Sequence, residues 1–172
     1  MSIRSILVNL DVDHPSPGLL AAAIDLARRF DARLSGFAAA QPPAPEVPIA
    51  AGAVAASWYE TNRAEVEARL EGLEGEFMAV VPQSIRGKFI SYVDPPTPSL
   101  IAAASSADLL LLSGSAGRSS NPARQVDVGE LAHGGFQVVD RRDDGQHALD
   151  FALVLGPENF GQKGINHVRI SL

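Results

Sequence analysis

The chain has 172 residues, with 14 Lys and Arg against 20 Asp and Glu, a formal net charge of −6 and no cysteine. That length suits one compact domain with at most a short appendage, and the missing thiols exclude disulfides, cysteine–zinc sites and thiol nucleophiles. The acidic balance argues against broad binding to nucleic acid or to an anionic membrane, since both reward a positive footprint.

The histidines His14, His133, His147 and His167 are scattered, without a metal-binding i, i+4 pair. The least charged stretch, Leu34 to Tyr59, carries Glu46, Pro42, Pro43, Pro45 and Pro48, so a spanning helix is not expected. Met1-Ser2-Ile3-Arg4 leads directly into a strand-like run without the long apolar core of a secretory signal, and a cytoplasmic location is expected.

In chain order, residues 3–10 form a β-branched-rich run that reads as a buried strand. Ser16-Pro17 looks like an N-cap followed by proline at the first helical position. Leu20, Ala23, Ile24, Ala27 and Phe30 then make an apolar helical stripe. Residues 32–40 read as a second strand, and the prolines after it impose a loop. A long helix is expected from Val54 to Val80, with the stripe Trp58, Val66, Leu70, Leu73, Phe77 and Val80 and a Glu65–Arg69 pair on its surface. Gly72 and Gly75 are expected to let it fray or bend.

Residues 88–93 read as a third strand, Asp94 to Pro98 as a turn, and Ser99 to Ser105 as a helix. The run 108–113 is apolar almost throughout, the mark of a strand covered on both faces. After a Gly/Ser loop come a short helix at 128–133 and a fifth strand at 136–140. This alternation predicts an α/β fold with a parallel sheet, because right-handed crossovers put helices on both faces. The expected division is a domain over 1–140 and a linker and tail over 141–172. Phe151–Leu155 is read as one more strand, Val168–Leu172 alternates like another, and the tail is either an incomplete second unit or a dimerisation segment.

Open parallel sheets bind ligands beyond the carboxyl ends of their strands, where strand order reverses. Asp11, Asp13 and His14 follow the first strand, and Gly114-Ser115-Ala116-Gly117-Arg118 follows the fourth. A Gly-x-x-Gly loop there points backbone N–H groups at a phosphate, and Arg118 adds charge; the competing reading is a tight strand exit. Asp11 and Asp13 read either as ribose or magnesium ligands or as capping and solvated carboxylates, and Trp58 as a core residue rather than a stacking platform. A nucleophile elbow fails because Ser113 stands where its first glycine belongs, and a Walker loop fails because Phe89 follows Gly87-Lys88.

Residues 6–11, the helix ending at 26–34, and the run from Ala107 to Arg118 together resemble a universal stress protein domain, a Rossmann-like fold. The resemblance covers about residues 1–140. It implies an open five-stranded parallel sheet of order 3-2-1-4-5, with Asp11 beside the Gly114 loop at the switch point. It also implies a homodimer through the fifth strand, and in nucleotide-binding members ATP with magnesium. On that pattern Asp11 lies near the nucleoside, backbone near Ala38 meets the base, and Gly114, Ser115, Gly117 and Arg118 form the phosphate loop. The second half of the loop departs: Asp127 and Val128 stand where the family has glycine and a hydroxyl residue, and Glu130 adds a second carboxylate. The expectation is therefore a stress-response regulatory protein acting through protein partners, with weak or absent ATP binding and no firm cofactor, metal or catalytic residue. An ATP binder and a purely structural interaction domain are the rival readings.

Overall fold

The computed structural model describes residues 3–14, 16–44, 53–113, 126–133, 137–140 and 151–155. Its elements are β1 (Ser5–Asn9), α1 (Pro17–Phe30), β2 (Arg33–Ala39), α2 (Ala53–Val80), β3 (Gly87–Tyr92), α3 (Pro96–Ala104), β4 (Leu109–Ser113), α4 (Val128–His133), β5 (Gln137–Asp140) and β6 (Phe151–Leu155). The expected α/β alternation is present. None of these helices is long and apolar enough to cross a membrane.

The sheet order is β3-β2-β1-β4-β6-β5. Its first four strands are mutually parallel, in the order 3-2-1-4. The expected fifth parallel strand beside β4 is a correction. β6 takes that place, running antiparallel to β4 from Leu109↔Leu155 to Ser113↔Phe151, and β5 lies outside it, from Gln137↔Leu155 to Asp140↔Ala152. Antiparallel neighbours need no crossover helix, so this end of the sheet is completed by two strands alone. A boundary at residue 140 falls between these two hydrogen-bonded strands. The alternating run 168–172 lies outside the described residues.

Alternation along the strands sends one set of side chains to each face. Ile6, Val8, Leu34, Leu109 and Leu111 pack with α1 and with Phe77 of α2. Leu7, Phe37, Ala39, Leu110 and Leu112 pack on the other side with Leu100 and Ala104 of α3 and Leu131 of α4. α1 buries Leu19, Ala22, Ala23, Ile24, Leu26 and Ala27, a broader face than its expected stripe, while Phe30 is exposed. Ser16 occupies the N-cap position but its hydroxyl makes no capping bond, so Pro17 is the stronger start signal.

α2 is continuous through Gly72 and Gly75, and nothing lies within 4 Å of where a Cβ would stand at either. Its buried side is Val66, Leu70, Leu73 and Phe77; Trp58 is half-buried and Val80 exposed, so the stripe stops short of both ends. Glu60, Glu65, Glu67, Glu71, Glu74 and Glu76 line its exposed surface. α3 begins at Pro96, inside the expected turn, because proline in the first turn loses no helical hydrogen bond.

Asp108 ties the start of β4 to the start of β1. Its Oδ2 accepts from Arg4 N, Ser5 N and Ser5 Oγ, each at 2.9 Å. Burial opposes ionisation of this carboxyl, yet the Arg4 and Ser5 hydrogen bonds and the Arg4 charge together hold it below its ordinary value. A depressed carboxyl contributes stability above its unfolded value, near pH 4, and loses it as pH falls through the folded one. Asp108→Asn is expected to cost about 1–2 kcal/mol at pH 7, allowing for partial solvent exposure. In thermal unfolding the gap between variant and parent should narrow below about pH 4; a gap independent of pH would remove the ionised carboxylate from the account.

Candidate functional site

The carboxyl ends of β1, β2 and β4 meet where strand order reverses, which is where an open α/β sheet presents a ligand site. The β1–β2 ladder runs one residue past β1, with Leu10 N donating to Phe37 O at 2.8 Å. Asp11 follows immediately. Its Oδ1 accepts from Asp13 N at 2.8 Å and His14 N at 2.9 Å, so the carboxylate closes its own loop as an Asx turn. One carboxylate oxygen is thereby committed to the chain, and the other is left for an outside donor.

Asp13 is drawn to α2, with Arg69 Nη1 2.6 Å from its Oδ1 and Arg69 Nη2 3.6 Å from Glu65 Oε1. Arg69 thus fastens the loop after β1 to the long helix and joins the expected Glu65 pair to a second carboxylate. His14 is exposed.

Ala38 lies inside β2, one residue before its end, and is fully buried with Val66, Leu70 and Leu73 of α2. Ala40 and Gln41 form the actual strand exit, where Ala40 N donates to Tyr92 O at 3.2 Å. Gly114, Ser115, Gly117 and Arg118 lie outside the described residues.

Beyond that loop the backbone N–H of Asp127 donates to Thr97 Oγ1 at 2.9 Å, and Thr97 is buried. Asp127 Oδ1 in turn accepts from Gly129 N at 2.8 Å and Glu130 N at 3.1 Å. Asp127 is therefore the N-cap of α4, and the chain's own carboxylate takes the amides that a phosphate would need. Both Asp127 and Glu130 are exposed there. Thr97 is the residue that sequence reasoning missed; its only signal was a hydroxyl inside Pro95-Pro96-Thr97-Pro98, a run that reads as a turn.

No family model matches this sequence. No curated protein gives a significant match. Among solved structures the chain is similar to one described as "Universal stress protein UspA from Lactobacillus plantarum", with 15% identity, a TM-score of 0.46, and coverage of 77% of this chain and 91% of that one. A superposition that loose bears on neither the fold nor the chemistry, so the strand order and the Asp11 and Asp127 geometry stand on their own.

Proposed function

We propose that this chain is a universal stress protein-like regulatory domain, cytoplasmic and homodimeric, that acts through protein partners and binds ATP weakly or not at all. The observation that carries the weak nucleotide binding is Asp127: it caps α4 with its own carboxylate and stands beside Glu130, so a polyphosphate there would meet like charge and spent donors. The class is supported by the parallel order 3-2-1-4 with Asp11 directly after the first strand's ladder, the arrangement implied by residues 6–11 and 107–118. The dimer is supported by the position of β5 as the last strand of the sheet, where a second copy would cover an open edge.

The test is the thermal midpoint at fixed protein concentration with and without magnesium and excess ATP. A ligand at about 100 times its Kd stabilises by about 2.7 kcal/mol, roughly 5–10 °C for a domain of this size. The expected result is no shift that depends on Gly117. A shift of that size abolished by Gly117→Val would replace this reading with an ATP-binding one using Asp11, the backbone near Ala38, Gly114, Ser115, Gly117 and Arg118. Sedimentation checks the dimer, and a monomer at micromolar concentration would remove that part of the proposal.

A further inference from the structure

A groove of about 410 Å³ opens at the amino ends of β1, β2 and β3, the opposite end of the strands from Asp11. It exists because α3, nine residues and so about 14 Å long, cannot cover three strands on its face of the sheet. Ile90, Ala103 and Ala107 contribute partly exposed apolar lining, Ser35 sits between Leu7 and Lys88, and Arg33, Arg86 and Lys88 stand along the β2–β3 side.

The charge of this groove is unusual for a chain of net charge −6. Lys88 is the register partner of Ser35, and Arg86 precedes the Leu34↔Gly87 pair, so the cations crowd neighbouring strands about 4.8 Å apart. Like charges side by side on a sheet are destabilising. Elsewhere Arg29 pairs with Asp25, Arg63 with Glu67 and Arg69 with Asp13, while Arg4 and Arg28, on other parts of the surface, make no ion pair among the described residues. Among the described residues Arg33, Arg86 and Lys88 make no such pair.

Two further details point to a ligand. Ser35 is half-buried at the groove wall, and its hydroxyl has no hydrogen-bond partner among the described residues, so it is available to a molecule in the groove. At the end of α3 the hydroxyls of Ser105 and Ser106 donate back to Ala102 O at 2.7 Å and Ala103 O at 3.3 Å. Those carbonyls, which would otherwise repel an anion at a helix carboxyl end, are thereby engaged.

We propose that this groove binds a small phosphate monoester with an apolar body. Two guanidinium forks and an ammonium match a dianion with three acceptor oxygens, the Ser35 hydroxyl supplies a further donor, and Ile90, Ala103 and Ala107 receive the organic group. The volume lies in the range of small-molecule sites. The site goes beyond the regulatory reading above and lies at the opposite end of the strands from Asp11.

The test is calorimetric titration of the intact chain at constant ionic strength with phenyl phosphate, and with inorganic phosphate for comparison. Phenyl phosphate should bind saturably and about tenfold or more tighter than inorganic phosphate, because its ring adds apolar burial. The double substitution Arg33→Gln with Lys88→Gln should weaken it by at least about tenfold, while Arg28→Gln on α1 leaves it unchanged. All three are exposed positions, so the fold survives the changes. Absence of binding would overturn the proposal and leave the cations as guards of the open β3 edge. Equal affinity for the two phosphates, or no effect of the double substitution, would overturn it as well. Loss of the signal in Gly117→Val would assign the binding to the Gly-x-x-Gly segment rather than to the groove, against this proposal and in favour of a nucleotide site.

Discussion

Replacing Val154 by proline is expected to destabilise the protein by about 3 kcal/mol or more, a fall of roughly 6–12 °C in thermal midpoint. Val154 stands opposite Leu110 on one side and Val138 on the other. Proline cannot donate to a ladder and is tolerated in sheets at edges, starts of strands and bulges. In β6 every central N–H faces a neighbouring strand, so the loss has no solvent-exposed alternative. The damage also spreads outward, because β5 is held in the sheet through β6. A loss below about 1 kcal/mol would show that residues 141–172 are an appendage to a sheet ending at β4.

Gly36→Ala is expected to cost about 1–3 kcal/mol through overpacking, and Phe77→Ala about 3–5 kcal/mol through the cavity it leaves. A Cβ at Gly36 would stand 2.6 Å from Cδ2 of Phe89 and 2.9 Å from two ring carbons of Phe77. Those rings lie 5.5 Å apart and tilted by 51°, folded over the strand where only glycine leaves room. Phe77 is fully buried. The two changes should therefore be non-additive, since Phe77→Ala removes one of the obstacles to the Gly36 methyl. Denaturant unfolding of both single variants and the double one measures this, with a coupling on the order of 1 kcal/mol expected. Strict additivity would mean the rings yield independently.

Local pattern carried the layered architecture because each buried strand is its own apolar run. Leu109-Leu110-Leu111-Leu112, fully buried in the sheet, declares itself without reference to anything else. Strand neighbours are a different matter. Phe151 to Leu155 reads as a strand, but nothing within five apolar residues says that it enters antiparallel between β4 and β5. Pairing is a non-local choice.

The site shows the same division. Asp11 at a strand exit was legible, whereas its engagement with Asp13 N and His14 N depends on how the loop turns back. Asp127 was legible as a departure from a phosphate loop; its service as the cap of α4 required the helix to be placed. Ala38 was assigned to a strand end that lies further along, because apolar small residues continue the ladder as readily as they end it. Arg33, Arg86 and Lys88 gave no signal, since separate strands bring them together.

The glutamates of α2 stand over one face of the sheet and the groove cations open on the other, so among the described residues these two groups of charge lie on opposite layers. An approaching anion in dilute buffer meets the long-range repulsion of a net charge of −6 before it reaches the groove mouth. At physiological salt the screening length is about 8 Å, less than the roughly 10 Å breadth of a helix layer. The glutamates are then hidden from the groove while charges in contact with the anion are not. Salt therefore removes a repulsion as well as an attraction, and capture on this face falls less steeply with ionic strength than at a cationic site on a basic protein.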